Sequence, residues 1–302
     1  MLYRRLGKTG ILVSEVSFGA HINKTNIEDQ NRRARQIHAA IENGINLFDI
    51  YDHSGYKQWE PMSRLLHPIR DEVLISLCTV WESSRVSEEI EYALKVFRTD
   101  CIDLYRFVYH WMDEGAKENE RRIRSLLDAK RKGKVKAVGV AVHRPSETLD
   151  VLRRYGESLD FIMAPVAYCF RRAISQDGEI APSIRRYGLG LIAMKPLCGH
   201  EEQGGSHLLS LSPSLSTEEA SILKAKGISL GRAAIKALLE SDMVSTVMPT
   251  MNSVEEVLDN VKASGSGPLS KEEEHLLDLY WRELEKRGKD ALGSQHWLWN
   301  WR

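Results

Sequence analysis

Ionisable and nucleophilic side chains recur at one kind of place in this chain, within or just beyond short apolar runs. Asp49 lies in the run 46–50, and Asp52, His53 and Tyr56 follow it. Cys78 ends the run 73–78. Arg106 sits inside the run 102–108, and His110 comes two residues after it. His143 follows the run 137–142, and Lys195, Cys198 and His200 follow 190–194. His21 follows the run 16–18, so five of the ten histidines fall just beyond such runs. Tyrosine, histidine and aspartate at one site can exchange protons with a small molecule. A thiolate at Cys78 requires a neighbouring cation. An inward-facing Arg106 requires an anion, for which Asp49 or a substrate carboxylate would serve. Each also has a structural reading: Asp49 as a hydrogen-bonded rim residue, Cys78 as a small strand residue, His110 packed by Trp111. No HxxxH or CxxC pair supports a metal, so none is expected from His53, His110, His143 and Cys78.

Eight runs read as strands, at 16–18, 46–50, 73–78, 102–108, 137–142, 161–165, 190–194 and 245–248. Helical patterns separate them at 33–43, 87–97, 121–132, 147–155, 230–241 and 253–263, with Ser87 as a capping residue and Gly44 as a C-terminal stop. Strands alternating with helices imply parallel strands joined by crossovers, and eight units close into a barrel. A hairpin precedes them, with Gly7-Lys8-Thr9-Gly10 between its strands. An extra helix over 270–287 follows, Ser270 and Glu273 standing at capping-box spacing. The segment 201–213 reads as a loop. The expected fold is therefore an α/β (β/α)8 TIM barrel, with an N-terminal β-hairpin and an extra C-terminal helix, as one domain over 1–302. In such barrels chemistry sits at the C-terminal ends of the strands, where the residues above fall.

The 302 residues carry 42 Lys+Arg against 42 Asp+Glu, so no basic field draws in nucleic acid or an anionic membrane. No run is long and apolar enough to be a signal peptide or a membrane span. Four cysteines without close spacing read as reduced thiols of a cytoplasmic protein. The expected partner is a small molecule.

The segment YRRLGKTGILVSEVSFG resembles the opening of aldo-keto reductases. The blocks GINLFDIYDHSG, DEVLISLCT, CIDLYRF, KVKAVGVAVH, GLGLIAMKPL and VMPTMNSVEEVLDN continue the likeness in family order. The resemblance implies carbonyl reduction by NADPH or NADH, through a Tyr proton donor tuned by a Lys and an Asp, with a His orienting the substrate. Asp49 matches the family Asp. Ser54 stands at the Tyr position, with Tyr56 two residues later; Cys78 stands at the Lys position; Val108 stands at the His position, with His110 two residues on. Ala141 and Val142 replace the polar residues that hold the nicotinamide carboxamide, and the Gln of strand six aligns near Pro165. The cofactor positions carried over are Lys195, Thr250, Ser253, Asp259 and Asn260. Glu256 replaces an Arg common in NADPH users, and Ser253 with Glu256 also reads as a capping box. In the family the C-terminal segment borders the pocket, which puts Trp297, Trp299 and Trp301 near substrate or in plain packing.

Three functions follow. The first is an NAD(P)H-dependent oxidoreductase of a small carbonyl compound with a rebuilt site, using Tyr56 or His110 as proton donor and Asp49 beside it. The second is a non-redox lyase, dehydratase or isomerase using Asp49 and a histidine. The third is a non-catalytic binding barrel. Fold alone does not choose among them.

Overall fold

The computed structural model describes residues 1–20, 30–51, 58–79, 83–109, 115–143, 145–200, 205–206 and 218–292. Eight parallel strands form one sheet: β3 (Phe18–Gly19), β4 (Leu47–Ile50), β5 (Leu74–Thr79), β6 (Ile102–Val108), β7 (Val135–Ala141), β8 (Phe161–Pro165), β9 (Gly190–Met194) and β12 (Val244–Met248). Neighbours in sequence are neighbours in space, and β12 lies beside β9. The ring closes where Val16 bridges Val247 and Gly19 bridges Thr250, both in parallel. The result is a (β/α)8 barrel, as the order of runs and helical patterns implied.

The helices between strands and after the last one are α1 (Gln30–Glu42), α2 (Trp59–Leu66), α3 (Val86–Phe97), α4 (Gly115–Arg131), α5 (Pro145–Tyr155), α6 (Ala181–Tyr187), α7 (Glu218–Ala225), α8 (Leu230–Leu239) and α9 (Val254–Asn260). Their apolar stripes cover the outside of the sheet and bury Ile37, Ile90, Leu126, Val151 and Ile235, among others. Three of these helices, α2, α6 and α7, have no counterpart in the sequence reading. The expected cap at Ser87 is corrected. Helix α3 begins one residue earlier, after Arg85, and no side chain caps it.

A hairpin of β1 (Tyr3–Arg5) and β2 (Leu12–Ser14) plugs the bottom of the barrel. Leu6, Ile11 and Val13 meet the lowest inward residues Leu47, Leu104 and Phe161. The fit depends on Gly190, where a Cβ would lie 2.4 Å from the Leu6 side chain. Arg4 anchors the plug by donating to the carbonyls of Leu239, Ser241 and Val244 at 2.7–3.0 Å, which satisfies acceptors at and beyond the end of α8. A short antiparallel pair, β10 (Gly199–His200) with β11 (Gly205–Ser206), follows β9.

The last helix, α10 (Lys271–Leu292), lies against α8 and α7 through Leu276, Leu277, Tyr280 and Leu284. Its capping box forms as expected: Ser270 Oγ accepts from Glu273 N at 3.1 Å, and Glu273 Oε2 accepts from Ser270 N at 2.8 Å. The same carboxylate receives Lys236 Nζ at 2.6 Å, tying the helix to the barrel. Among the described residues no helix is long and apolar enough to cross a membrane.

Candidate active site

Side chains alternate along a strand, so one parity of each barrel strand faces inward. On β4 that parity is Leu47 and Asp49, continuing to Tyr51 just past its end. On β5 it is Leu74, Ser76 and Cys78, and on β6 it is Leu104, Arg106 and Val108. Leu47, Leu74 and Leu104 form the apolar floor. Directly above it the wall turns polar. Asp49 stands level with Ser76, while Arg106 stands level with Cys78, one step nearer the mouth.

This stagger lets the Arg106 guanidinium reach across Ser76 to Asp49. Its two Nη atoms donate to the two carboxylate oxygens at 2.5 and 2.9 Å. Ser76 Oγ donates to Asp49 Oδ1 at 2.7 Å and accepts from Arg106 Nη1 at 3.0 Å. Both charged residues are buried, Asp49 at 6% and Arg106 at 3% exposure. Burial disfavours the guanidinium charge, but Asp49, with smaller help from Cys78 and Tyr51, outweighs it and holds Arg106 above its ordinary value. Arg106 Nε is buried with no hydrogen-bond partner among the described residues. The Arg106 Cζ lies 6.0 Å from the Tyr51 ring centroid, at the limit of a cation–π contact.

The cation that the aldo-keto reductase resemblance expects from strand β5 therefore comes from β6. Cys78 occupies the vacated position. Its thiol is buried and pushed up to about 12, chiefly by desolvation; Arg106 beside it lowers the value, and Asp49 opposes that effect. The thiol donates to Thr79 O at 3.5 Å. At neutral pH it is protonated, which is the unreactive form.

Tyr51 was missed by the sequence reading, which looked further along, to Tyr56. The available signal was parity: Tyr51 is two residues beyond Asp49 and so shares its face. His53, Tyr56 and His110 lie outside the described residues, as do Asp52, Ser54, His21 and Trp297, Trp299 and Trp301.

Across the barrel, β9 ends in a tight turn from Lys195 to Cys198. Both residues have positive φ, 61° and 56°, and Cys198 N donates to Lys195 O at 2.9 Å. The turn brings Lys195 Nζ to 3.2 Å from Nδ1 of His143, which follows β7. Glu147 Oε2 accepts from His143 N at 3.2 Å and fixes the start of that loop. Desolvation lowers the Lys195 amine to about 7. Among the described residues no group of three or more His, Cys, Asp or Glu could hold a metal.

The remaining cofactor positions gather where β12 leads into α9. Ser253 Oγ accepts from Glu256 N at 3.1 Å as the helix cap, and Glu256 Oε2 folds back to accept from Asn252 N at 2.7 Å. The capping role of Glu256 is thus present. Asp259 pairs with Arg232 at 3.2 Å, and Asn260 is buried beside Gly231. Arg33 of α1 reaches the same loop, donating to Met251 O at 3.4 Å, while its Nη2 is buried without a partner among the described residues. Burial first, and Arg32 second, lower this guanidinium to about 10. Val142 is fully buried, and neither it nor Ala141 offers a side-chain donor.

The parallel barrel plugged by a hairpin, with Asp49 on its inner wall, matches the architecture that the aldo-keto reductase resemblance implies. A model of the aldo/keto reductase family matches residues 15–281, and the chain belongs to that family. L-galactose dehydrogenase of Arabidopsis thaliana is 26% identical over 283 residues, covering 86% of this chain and 87% of that protein. L-glyceraldehyde 3-phosphate reductase of Escherichia coli K12 is 23% identical, covering 93% and 92%. The holo structure of aldo-keto reductase AKR11C1 from Bacillus halodurans superposes with a TM-score of 0.67 at 23% identity, covering 92% of this chain and 96% of that one. That likeness concerns the fold.

Proposed function

We propose that this chain is a nicotinamide-nucleotide-dependent oxidoreductase of a small hydroxylated carbonyl compound, with Tyr51 as the proton donor. The observation that carries the reading is the Asp49–Arg106 pair beside the Tyr51 ring. A phenol ordinarily titrates near 10, and a neighbouring cation favours its ionised form. Proton transfer from Tyr51 to a carbonyl oxygen would leave a phenolate next to Arg106. Asp49 and Ser76 hold the guanidinium in place, so its position does not change as charge develops. The apolar floor excludes water from below.

The family generally uses NAD(P)H. The residues present fit its phosphate end: Arg33 offers a buried Nη2, without a partner among the described residues, at the loop after β12 that carries Thr250 and Ser253. The nucleotide, when bound, supplies the hydride. Lys195, just past β9, would face the nucleotide's phosphates from that side. Ala141 and Val142 would offer a nicotinamide ring no side-chain hydrogen bond. Glu256 sets a carboxylate beside the loop and favours NADH over NADPH, because a 2′-phosphate would meet like charge. The names of two relatives, L-galactose dehydrogenase and L-glyceraldehyde 3-phosphate reductase, support a sugar-like carbonyl substrate.

The test is calorimetric titration of the purified protein with NADH and with NADPH. Micromolar binding with NADH preferred is the expected result. No heat and no thermal stabilisation at millimolar nucleotide would overturn the reading.

A further inference from the structure

Two of the four cysteines meet, and neither has a place in the hydride chemistry above. Strands β8 and β9 run in parallel with Pro165 paired to Met194, and Cys169 and Cys198 each stand four residues past that pair. Cys169 lies in the short helical turn Tyr168–Ile174, and Cys198 closes the turn that follows β9. Both pack into one apolar cluster with Tyr168 and Phe170, and with Ala234 of α8 and Tyr280 of α10. The two thiols are hydrogen-bonded to each other. Cys198 is fully buried, whereas Cys169 is partly exposed. Cys198 also has φ 56°, a left-handed backbone that glycine or asparagine adopts at less cost. The other two thiols point to backbone carbonyls instead: Cys78 Sγ donates to Thr79 O at 3.5 Å, and Cys101 Sγ to Ile102 O at 3.6 Å.

We propose that Cys169 and Cys198 form a reversible disulfide on reaction with hydrogen peroxide, bolting the turn after β9 to the segment after β8. Cys169, the exposed partner, reacts first. Its sulfur bonds to one peroxide oxygen, the O–O bond breaks, and the other oxygen leaves as water with the thiol proton. The product is a sulfenic acid. The Cys198 sulfur then attacks the Cys169 sulfur; the S–S bond forms, the S–O bond breaks, and a second water leaves with the Cys198 proton. Two thiols lose two electrons, and hydrogen peroxide becomes two waters. Burial first, and then the hydrogen bond to Cys198, hold the Cys169 thiol well above its ordinary value, so it is protonated at neutral pH. What selects the pair is therefore the neighbouring sulfur, which traps the sulfenic acid, and not an acidic thiol. The segment after β8 is already tied to α10: Tyr168 Oη donates to Asp278 Oδ1 at 2.6 Å, and Arg171 Nη2 to Glu274 Oε1 at 2.9 Å. The disulfide would join the turn after β9 to that anchored segment. Neither thiol belongs to the Asp49–Arg106–Tyr51 group, so this site and the oxidoreductase reading stand or fall separately.

The test treats the full chain with hydrogen peroxide at neutral pH, stops the reaction with catalase and maps peptides by mass without reduction. The expected product is a peptide pair joined through Cys169 and Cys198, two hydrogens lighter than its thiols and split again by dithiothreitol. The cross-link should raise Tm by about 4–8 °C in a chain of this size, and reduction should abolish the gain. Cys198→Ser should halt the reaction at the Cys169 sulfenic acid, which dimedone captures, and should show no gain in Tm on oxidation. Cys101→Ser should behave as wild type. Over-oxidation of Cys169 without a link, cysteines joined at random, or both thiols unchanged at peroxide levels that oxidise free cysteine would overturn the proposal, and the wild-type map shows each of these without any variant. A link that leaves Tm unchanged would overturn it too, because the bond would then hold nothing in place.

Discussion

Replacing Arg106 by methionine removes the cation from the inner wall and keeps most of the side chain's length. Asp49 is 6% exposed and accepts both Nη donors, so the variant strands a buried carboxylate with only Ser76 as its donor among the hydrogen bonds described. Breaking a buried pair from one side costs ~3–5 kcal/mol. Asp49→Asn does the converse, leaving the guanidinium without an anion, at a similar cost of about 3–5 kcal/mol. In a chain of this size 1 kcal/mol moves Tm by about 2 °C, so each single variant should melt ~6–10 °C below wild type. The double variant removes both charges. It should melt above the sum of the single losses, with a coupling energy of about 2–3 kcal/mol. Circular dichroism melts at one scan rate measure all four proteins under the same kinetic regime. Additive losses, or single variants within about 1 °C of wild type, would refute the buried pair, because uncoupled surface substitutions stay within about 0.5 kcal/mol.

The other expectations concern chemistry. Tyr51→Phe should lower kcat by ~10²–10⁴ with KM little changed, as loss of a general acid does; an active Tyr51→Phe enzyme would return the role to a residue such as Tyr56 or His110. The Lys195 amine falls from its ordinary 10.5 to about 7 in the folded protein, so between those values the unfolded chain binds the extra proton. The burial penalty is therefore present in full below pH 7 and fades as pH rises toward 10.5. The stability gained by Lys195→Met should shrink over that window in denaturant titrations, and a gain independent of pH would contradict the lowered value. Cys78, pushed up to about 12, should resist iodoacetamide at neutral pH in the native protein and react once unfolded; labelling of the native protein at the rate of a free thiol would show a thiolate there.

Three strands, 102–108, 161–165 and 190–194, are where the apolar runs put them, because alternation and strand length follow from local backbone geometry. The first strand is shorter than its run. Val16 makes only an isolated bridge, to Val247 from the far end of the chain, and that closure is invisible locally. The sequence also placed Arg106 inside the barrel with Asp49 among its possible anions, since parity is a property of one strand. Which anion it meets depends on the offset between β4, β5 and β6. That offset puts Asp49 beside Ser76 and Arg106 beside Cys78, and barrel closure sets it rather than any single segment.

The Lys195–His143 contact is the clearest case of what sequence leaves open. The two residues are 52 apart, and the sequence placed each beyond its own strand, Lys195 as a cofactor position and His143 without a role beside it. Alternating hydrophobicity and turn chemistry determined which residues reach the mouth. The tertiary fold decided which of them meet, because side-chain encounters depend on strand stagger and on turns that wind the chain into the left-handed region, and neither is encoded in a local pattern.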